Sequence, residues 1–141
     1  MANDGGDFTR SMSIATSGLR AQAGRIRVIS ENIANADSTA PTPGGNPYRR
    51  KVPTFSSELD RTLDAKVVTL GKVRPDPSAF RVKHDPGNPA ADAAGNVKYP
   101  NVNPLIEMTD MRDAQRSYEA NLNIISATRR MIQRTLDILK A

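Results

Sequence analysis

All ten prolines of this 141-residue chain lie between Pro41 and Pro104, and neither flank contains one. Proline removes a backbone donor and its ring obstructs the helical turn, so the middle cannot be one long helix, whereas both flanks can be. The expected fold class is therefore mainly α, with long N- and C-terminal helices paired as a coiled-coil-like helical domain and a small β-rich or extended insertion between them. The boundaries read from the sequence are a flexible N-terminus over residues 1–7, a discontinuous helical domain over 8–39 plus 103–141, and the insertion over 40–102.

On the N-terminal flank, from about Phe8 to about Asn35, Met12, Leu19, Ile26 and Ile33 recur every seven residues, which makes a seam for another helix. On the C-terminal flank Asn103 can cap a helix whose first position is Pro104, where a missing N–H is no loss. Neither Pro nor Gly then interrupts the chain up to its last residue. Tyr118, Ile125, Ile132 and Leu139 form the matching seam, so these two sets of four are expected to join the helices of one subunit.

A second stripe runs beside each seam. Ile124, Met131 and Ile138 are seven apart, as are Ile14, Ala21 and Val28. A helical hairpin buries one stripe per helix, and contiguous apolar surface left outside marks an interface. The alternative is that the middle segment folds back over these stripes, but its Pro, Gly and charge make it a poor lid, and assembly through the helices is the better reading. Ile14, Val28, Ile124, Met131 and Ile138 are therefore expected to face neighbouring subunits. Within the middle, 67–70 and 80–84 have strand-like composition, and 41–47 and 85–89 read as turns.

Chemistry is thinly represented. There is no Cys and only one His, His84, so neither thiolate chemistry nor a clustered metal site is expected, and no cofactor is implied. No serine or threonine has a base at a recognisable spacing, and no enzyme is expected. The net charge of +5 raises a nucleic-acid adaptor as an alternative. However, the densest basic run is only Arg49-Arg50-Lys51, with no interleaved aromatic residues, and ordinary surface or interface charge is the simpler reading. Glu107, Asp110, Asp113, Glu119 and Asp137 alternate with arginines on the C-terminal helix, as on a solvated or inter-subunit polar face. No apolar run approaches the ~20 residues that span a bilayer. The polar, acidic first seven residues lack a secretory signal's pattern, so synthesis as a soluble chain is expected.

The stretch 30–39, Asp85-Pro86-Gly87, Tyr99-Pro100-Asn101 and the segment 116–121 together resemble bacterial flagellar rod and hook proteins. The stretch 30–39, with Asn32 and Asn35, looks like the signature that ends the N-terminal helix in that family. Asp85-Pro86-Gly87, the run Tyr99-Pro100-Asn101 and the segment 116–121 resemble its proximal-rod members. The resemblance implies paired terminal helices that pack into a helical tube, with the middle segment as an outer extension. It implies a drive shaft that spans the periplasm in the flagellar basal body and carries torque from rotor to hook. The implied partners are the chain itself, other proximal-rod subunits, the basal adaptor at the rotor, the distal rod and the flagellar type III export apparatus, with no nucleic acid and no membrane span. Asn32 and Asn35 are then expected to satisfy backbone groups where the helix gives way to the middle segment. A distal-rod or hook-type member of the same family is the nearest alternative.

Overall fold

The structure, a computed structural model, describes the backbone of residues 4–140 and the side chains of residues 6–140. Two long helices dominate it, α1 over Asp4–Ala34 and α2 over Pro104–Lys140. They pack together: the Asn121 side chain of α2 lies so close over Gly18 of α1 that a Cβ there would sit 2.9 Å from Oδ1. Of the N-terminus expected to be flexible, residues 4–7 form the first turns of α1, and residues 1–3 lie outside those described.

The helix ends follow their capping chemistry. Oδ1 of Asn103 accepts the Leu105 N–H at 3.1 Å, and Pro104 occupies the first helical position. At the far end of α1, Asn35 donates both its backbone N–H and its Nδ2 to the Glu31 carbonyl, at 3.2 and 2.9 Å.

Six short strands occupy the middle: β1 (Lys51–Val52), β2 (Phe55–Asp60), β3 (Ala65–Leu70), β4 (Arg74–Pro75), β5 (Arg81–His84) and β6 (Asn96–Tyr99). They pair antiparallel as β1 with β4, β2 with β3, and β5 with β6. The expected strand at 67–70 falls inside β3, and that at 80–84 becomes β5 without Phe80. Two residues, Pro53 and Thr54, join β1 to β2, and three, 71–73, join β3 to β4. The turn of the β2–β3 hairpin is held by Asp60, whose Oδ1 accepts the N–H groups of Thr62 and Leu63, and by Asp64 at φ 48°. The β5–β6 connection closes through Asp92, whose Oδ1 accepts the Ala94 and Asn96 N–H groups, and through Gly95 at φ 78°.

The chain forms two compact units, and neither follows the boundary between helices and middle segment. Among the described residues, one combines 4–25, 55–71 and 113–140, so that the β2–β3 hairpin accompanies the start of α1 and most of α2. The other combines 26–54 and 72–112. Among the described residues the buried apolar ones are small: seven of eleven are alanines, and the others are Val28, Ile29, Val97 and Val102. The large side chains that are fully buried include Glu107 and Asn32. Among the same described residues fifteen large hydrophobic side chains are exposed, nine of them on α2.

Candidate assembly interface and its polar node

In the second unit a polar node ties both helices to the middle segment. Asn32, near the end of α1 and only 1% exposed, uses its whole hydrogen-bonding capacity. Its Nδ2 donates to the Lys51 carbonyl at 2.8 Å and to Oε2 of Glu107 at 3.1 Å. Its Oδ1 accepts the Lys51 N–H at 2.9 Å and the Tyr48 hydroxyl at 2.8 Å. Asn32 thus pairs with the Lys51 backbone as a neighbouring strand would, leaving neither group of that peptide unsatisfied.

Glu107 is the acceptor at the centre. Its carboxylate, 1% exposed, takes the Asn32 amide on one oxygen and the Arg50 guanidinium on the other. Arg50 also reaches Oδ2 of Asp76 at 3.3 Å and Oδ2 of Asp110 at 3.8 Å. Burial alone would lower the Arg50 pKa, but hydrogen bonds and charge from Glu107 and Asp76 outweigh it, and the net movement is upward. Asp76 is held below the usual carboxylate value, first by the backbone N–H and hydroxyl of Ser78 and then by Arg50. The Tyr48 hydroxyl is pushed up to about 12, mainly by burial and then by the charges of Glu31 and Glu107. Glu107 therefore departs from the solvated or inter-subunit face read from the α2 charge pattern. Its partner Arg50 lies fifty-seven residues away in sequence, and no local pattern reveals it.

The same node engages the basic run. Arg49 stacks over the Phe80 ring at 4.1 Å and donates to the carbonyls of Asp76 and Ser78, Arg50 is held by Glu107, and Lys51 pairs with Glu31.

The family-motif residues sit around this unit. Asn101 accepts the Arg50 N–H at 2.8 Å and donates to the Asp76 and Ser78 carbonyls and the Ser78 hydroxyl. The buried Pro100 offers its carbonyl to Arg81, and Tyr99 packs on the cluster of Ala40, Ala90 and Val97. Asp85, Pro86 and Gly87 begin the turn after β5: Asp85 donates its N–H to Gly95, and its own carbonyl accepts from Asn88.

The seam residues Met12, Leu19, Ile26, Ile33, Tyr118, Ile125 and Ile132 are all half-buried. Leu139 is 77% exposed instead, as is every side chain over 133–140, which the described residues leave uncovered. The outward residues divide by helix. On α1, Val28 is only 6% exposed and lines one groove with Tyr48, Lys51, Val73 and Pro75. Ala21 is likewise buried, beside Val67–Leu70 of β3. The middle segment therefore flanks both positions, with residues 67–70 of β3 at Ala21 and Tyr48, Val73 and Pro75 at Val28, and of these three stripe residues Ile14 alone is exposed. On α2, Ile124, Met131 and Ile138 are 48%, 53% and 75% exposed. Among the described residues no group of three or more His, Asp or Glu could hold a metal ion, and no helix is long and apolar enough to cross a membrane.

Comparison with known proteins places this architecture. The family described as flagella basal body rod protein matches residues 12–40, and the C-terminal family of the flagellar basal body rod FlgEFG proteins matches residues 93–138. The flagellar basal-body rod protein FlgC of Agrobacterium fabrum is 56% identical over 134 residues, which cover 95% of this chain and 96% of that protein. The FlgC protein of Bacillus subtilis is 39% identical, covering 92% of this chain and 97% of its own. That of Salmonella typhimurium is 38% identical over 89% and 92% of the two chains. With relatives this similar over nearly their whole length, the chain belongs to the flagellar basal-body rod protein family of FlgC.

Proposed function

We propose that this chain is a structural, non-catalytic subunit of the proximal rod, and that it assembles with copies of itself and with other rod proteins through the outward face of α2. The observation that carries this reading is the placement of apolar bulk: alanines fill the interior while Ile124, Met131 and Ile138 lie outside at helical spacing. A monomer gains nothing from a wet stripe of that kind, whereas burying one against a neighbour yields ~25 cal/mol per Å² of apolar surface.

In this reading the tube of subunits carries torque from rotor to hook, with the basal adaptor and the distal rod as end neighbours. Each chain reaches its place unfolded, through the flagellar export apparatus. A core of small side chains suits that route, because little packing has to be undone. The nucleic-acid alternative loses its main support, since the arginines and lysine of the 49–51 run are engaged within the chain.

The test is electron microscopy of basal bodies from an in-frame deletion strain, with a swimming assay beside it. Missing rods and hooks, restored by the wild-type gene, are expected. Intact rotating flagella without the chain would refute the reading.

A further inference from the structure

Among the described residues, the β2–β3 hairpin leaves one strand edge unpaired. The Val68 N–H donates to Oγ of Ser17 at 3.2 Å, so it points away from β2, and the outer edge of β3 lies toward α1. Val68 stands opposite Ser57, and a cross-strand pair whose N–H groups point apart is the non-hydrogen-bonded kind. By alternation Phe55 with Leu70 and Leu59 with Lys66 are of that kind too, while Ser56 with Thr69 and Glu58 with Val67 carry the ladder bonds. The N–H and C=O groups of Phe55, Ser57 and Leu59 are therefore aimed at the free side of β2. Residues 55–59 are all exposed, and among the described residues β2 has no strand neighbour other than β3.

An open edge of this kind accepts an extended segment, and the side chains beside it decide which one. A second β2, running antiparallel with Ser57 facing Ser57, sets Phe55 of each copy beside Leu59 of the other, a stabilising aromatic–aliphatic pair. Every such pair exchanges two N–H···O bonds. On that face Leu70 and Phe55 of one copy line up with Leu59 of the other, and Lys66 closes the row at its rim. On the opposite face Glu58 meets Ser56 of the other copy. Sliding the register by two residues one way sets Glu58 against Glu58, which is destabilising. Sliding it the other way sets Leu59 against Pro53, which has no N–H to give. A parallel, in-register alignment stacks Glu58 on Glu58 and Asp60 on Asp60. Charge and apolar fit thus select a second copy of β2, in one direction and one register.

We propose that the free edge of β2 binds β2 of a second copy, antiparallel and centred on Ser57, so that two hairpins join into one continuous sheet. The same surface serves on both sides, so the contact is two-fold and closes at two copies. It goes beyond the rod-subunit reading and stands apart from it, since a rod grows by contacts that repeat from copy to copy.

Sedimentation velocity on the purified full-length chain reads the contact, with Ile124→Asp carried in every sample so that the α2 stripe contributes no association. A species of twice the chain mass that grows with concentration is expected. Ser57→Pro removes the outward N–H at the centre of the edge and leaves the ladder bonds of Ser56 and Glu58 in place. It should weaken association roughly tenfold or more, with the far-UV circular dichroism spectrum unchanged. Because the chain has no native cysteine, single cysteines give a second readout that does not depend on the fold of that variant. Ser57→Cys sets two Cα atoms ~5.5 Å apart, within disulfide reach, whereas Glu58→Cys sets them beyond ~7 Å. Oxidation should link the first variant into a dimer and leave the second unlinked. A chain of single mass at every concentration, a dimer that a folded Ser57→Pro leaves intact, or linkage through Glu58→Cys in place of Ser57→Cys would overturn the proposal. None of these outcomes bears on the rod reading, which fails separately, if a deletion strain still builds rods.

Discussion

Replacing Asn32 with alanine removes four hydrogen bonds at once from a position only 1% exposed. The largest loss falls on Glu107, a buried carboxylate whose second oxygen is left without its donor; a bond to a charged group contributes ~1.5–3 kcal/mol. The Lys51 N–H and carbonyl lose neutral bonds of ~1 kcal/mol each, although Lys51 is half-buried and water recovers part of that. Against this, alanine is the better helix former by ~0.5 kcal/mol. The net cost is about 3 kcal/mol, a large share of the ~5–15 kcal/mol that holds a domain together. Urea unfolding followed by far-UV circular dichroism reads it directly: with a slope of ~1.5–2 kcal/mol per M, the midpoint falls by about 1.5–2 M. Asn123→Ala, at an exposed position on α2, should move it by no more than ~0.3 M. An Asn32→Ala midpoint as close to wild type as that control would refute the idea that this asparagine ties α1 and α2 to the middle segment.

Three further outcomes follow from the same reasoning. Gln22 lies on α1, and its Oε1 is buried with no donor among the described residues. Gln22→Leu should therefore stabilise the monomer by ~1 kcal/mol, raising its melting temperature by about 3 °C by calorimetry. Gly95→Ala places a Cβ at φ 78° and 2.9 Å from the His84 ring, so it should cost ~1–2 kcal/mol in urea unfolding. Tyr48 keeps its proton up to about 12 in the folded chain, against 10.0 for the ordinary side chain. The folded state thus holds that proton more tightly, and the associated stability is fully present below pH 10 and lost as pH rises toward 12. Tyr48→Phe should flatten this alkaline slope in denaturation measured across that range.

Both helices were legible because their information is local: a period near 3.6, Asn103 and Pro104 at one start, and Asn35 at the other end. β2 was not, since Phe-Ser-Ser-Glu-Leu-Asp is too polar to read as a strand and owes its conformation to pairing with β3. The exposure of Ile14, Ile124, Met131 and Ile138 agrees with the second stripe read from spacing, but spacing cannot say which of two stripes the rest of the chain will cover. Val28 and Ala21 show the difference, being buried beside a segment whose prolines and glycines suggested a poor lid. Leu139 shows the converse, a seam position that the described residues leave exposed. Glu107 was the least legible of all. Within a helix of interleaved charges it looks like its neighbours, and only tertiary structure brings Arg50 and Asn32 to it.

The most direct test of the claim that α2 assembles through its outward stripe is Ile124→Asp at the native locus. The chain is quantified in the export medium of a rodless strain and in basal bodies isolated from an otherwise wild-type background. Because Ile124 is already 48% exposed in the monomer, the substitution should leave folding and export unchanged, whereas burying an unpaired carboxylate in an interface costs several kcal/mol. Wild-type export with loss of the chain from basal bodies, and no swimming, is the predicted result. Normal incorporation and swimming in the Ile124→Asp strain would contradict it.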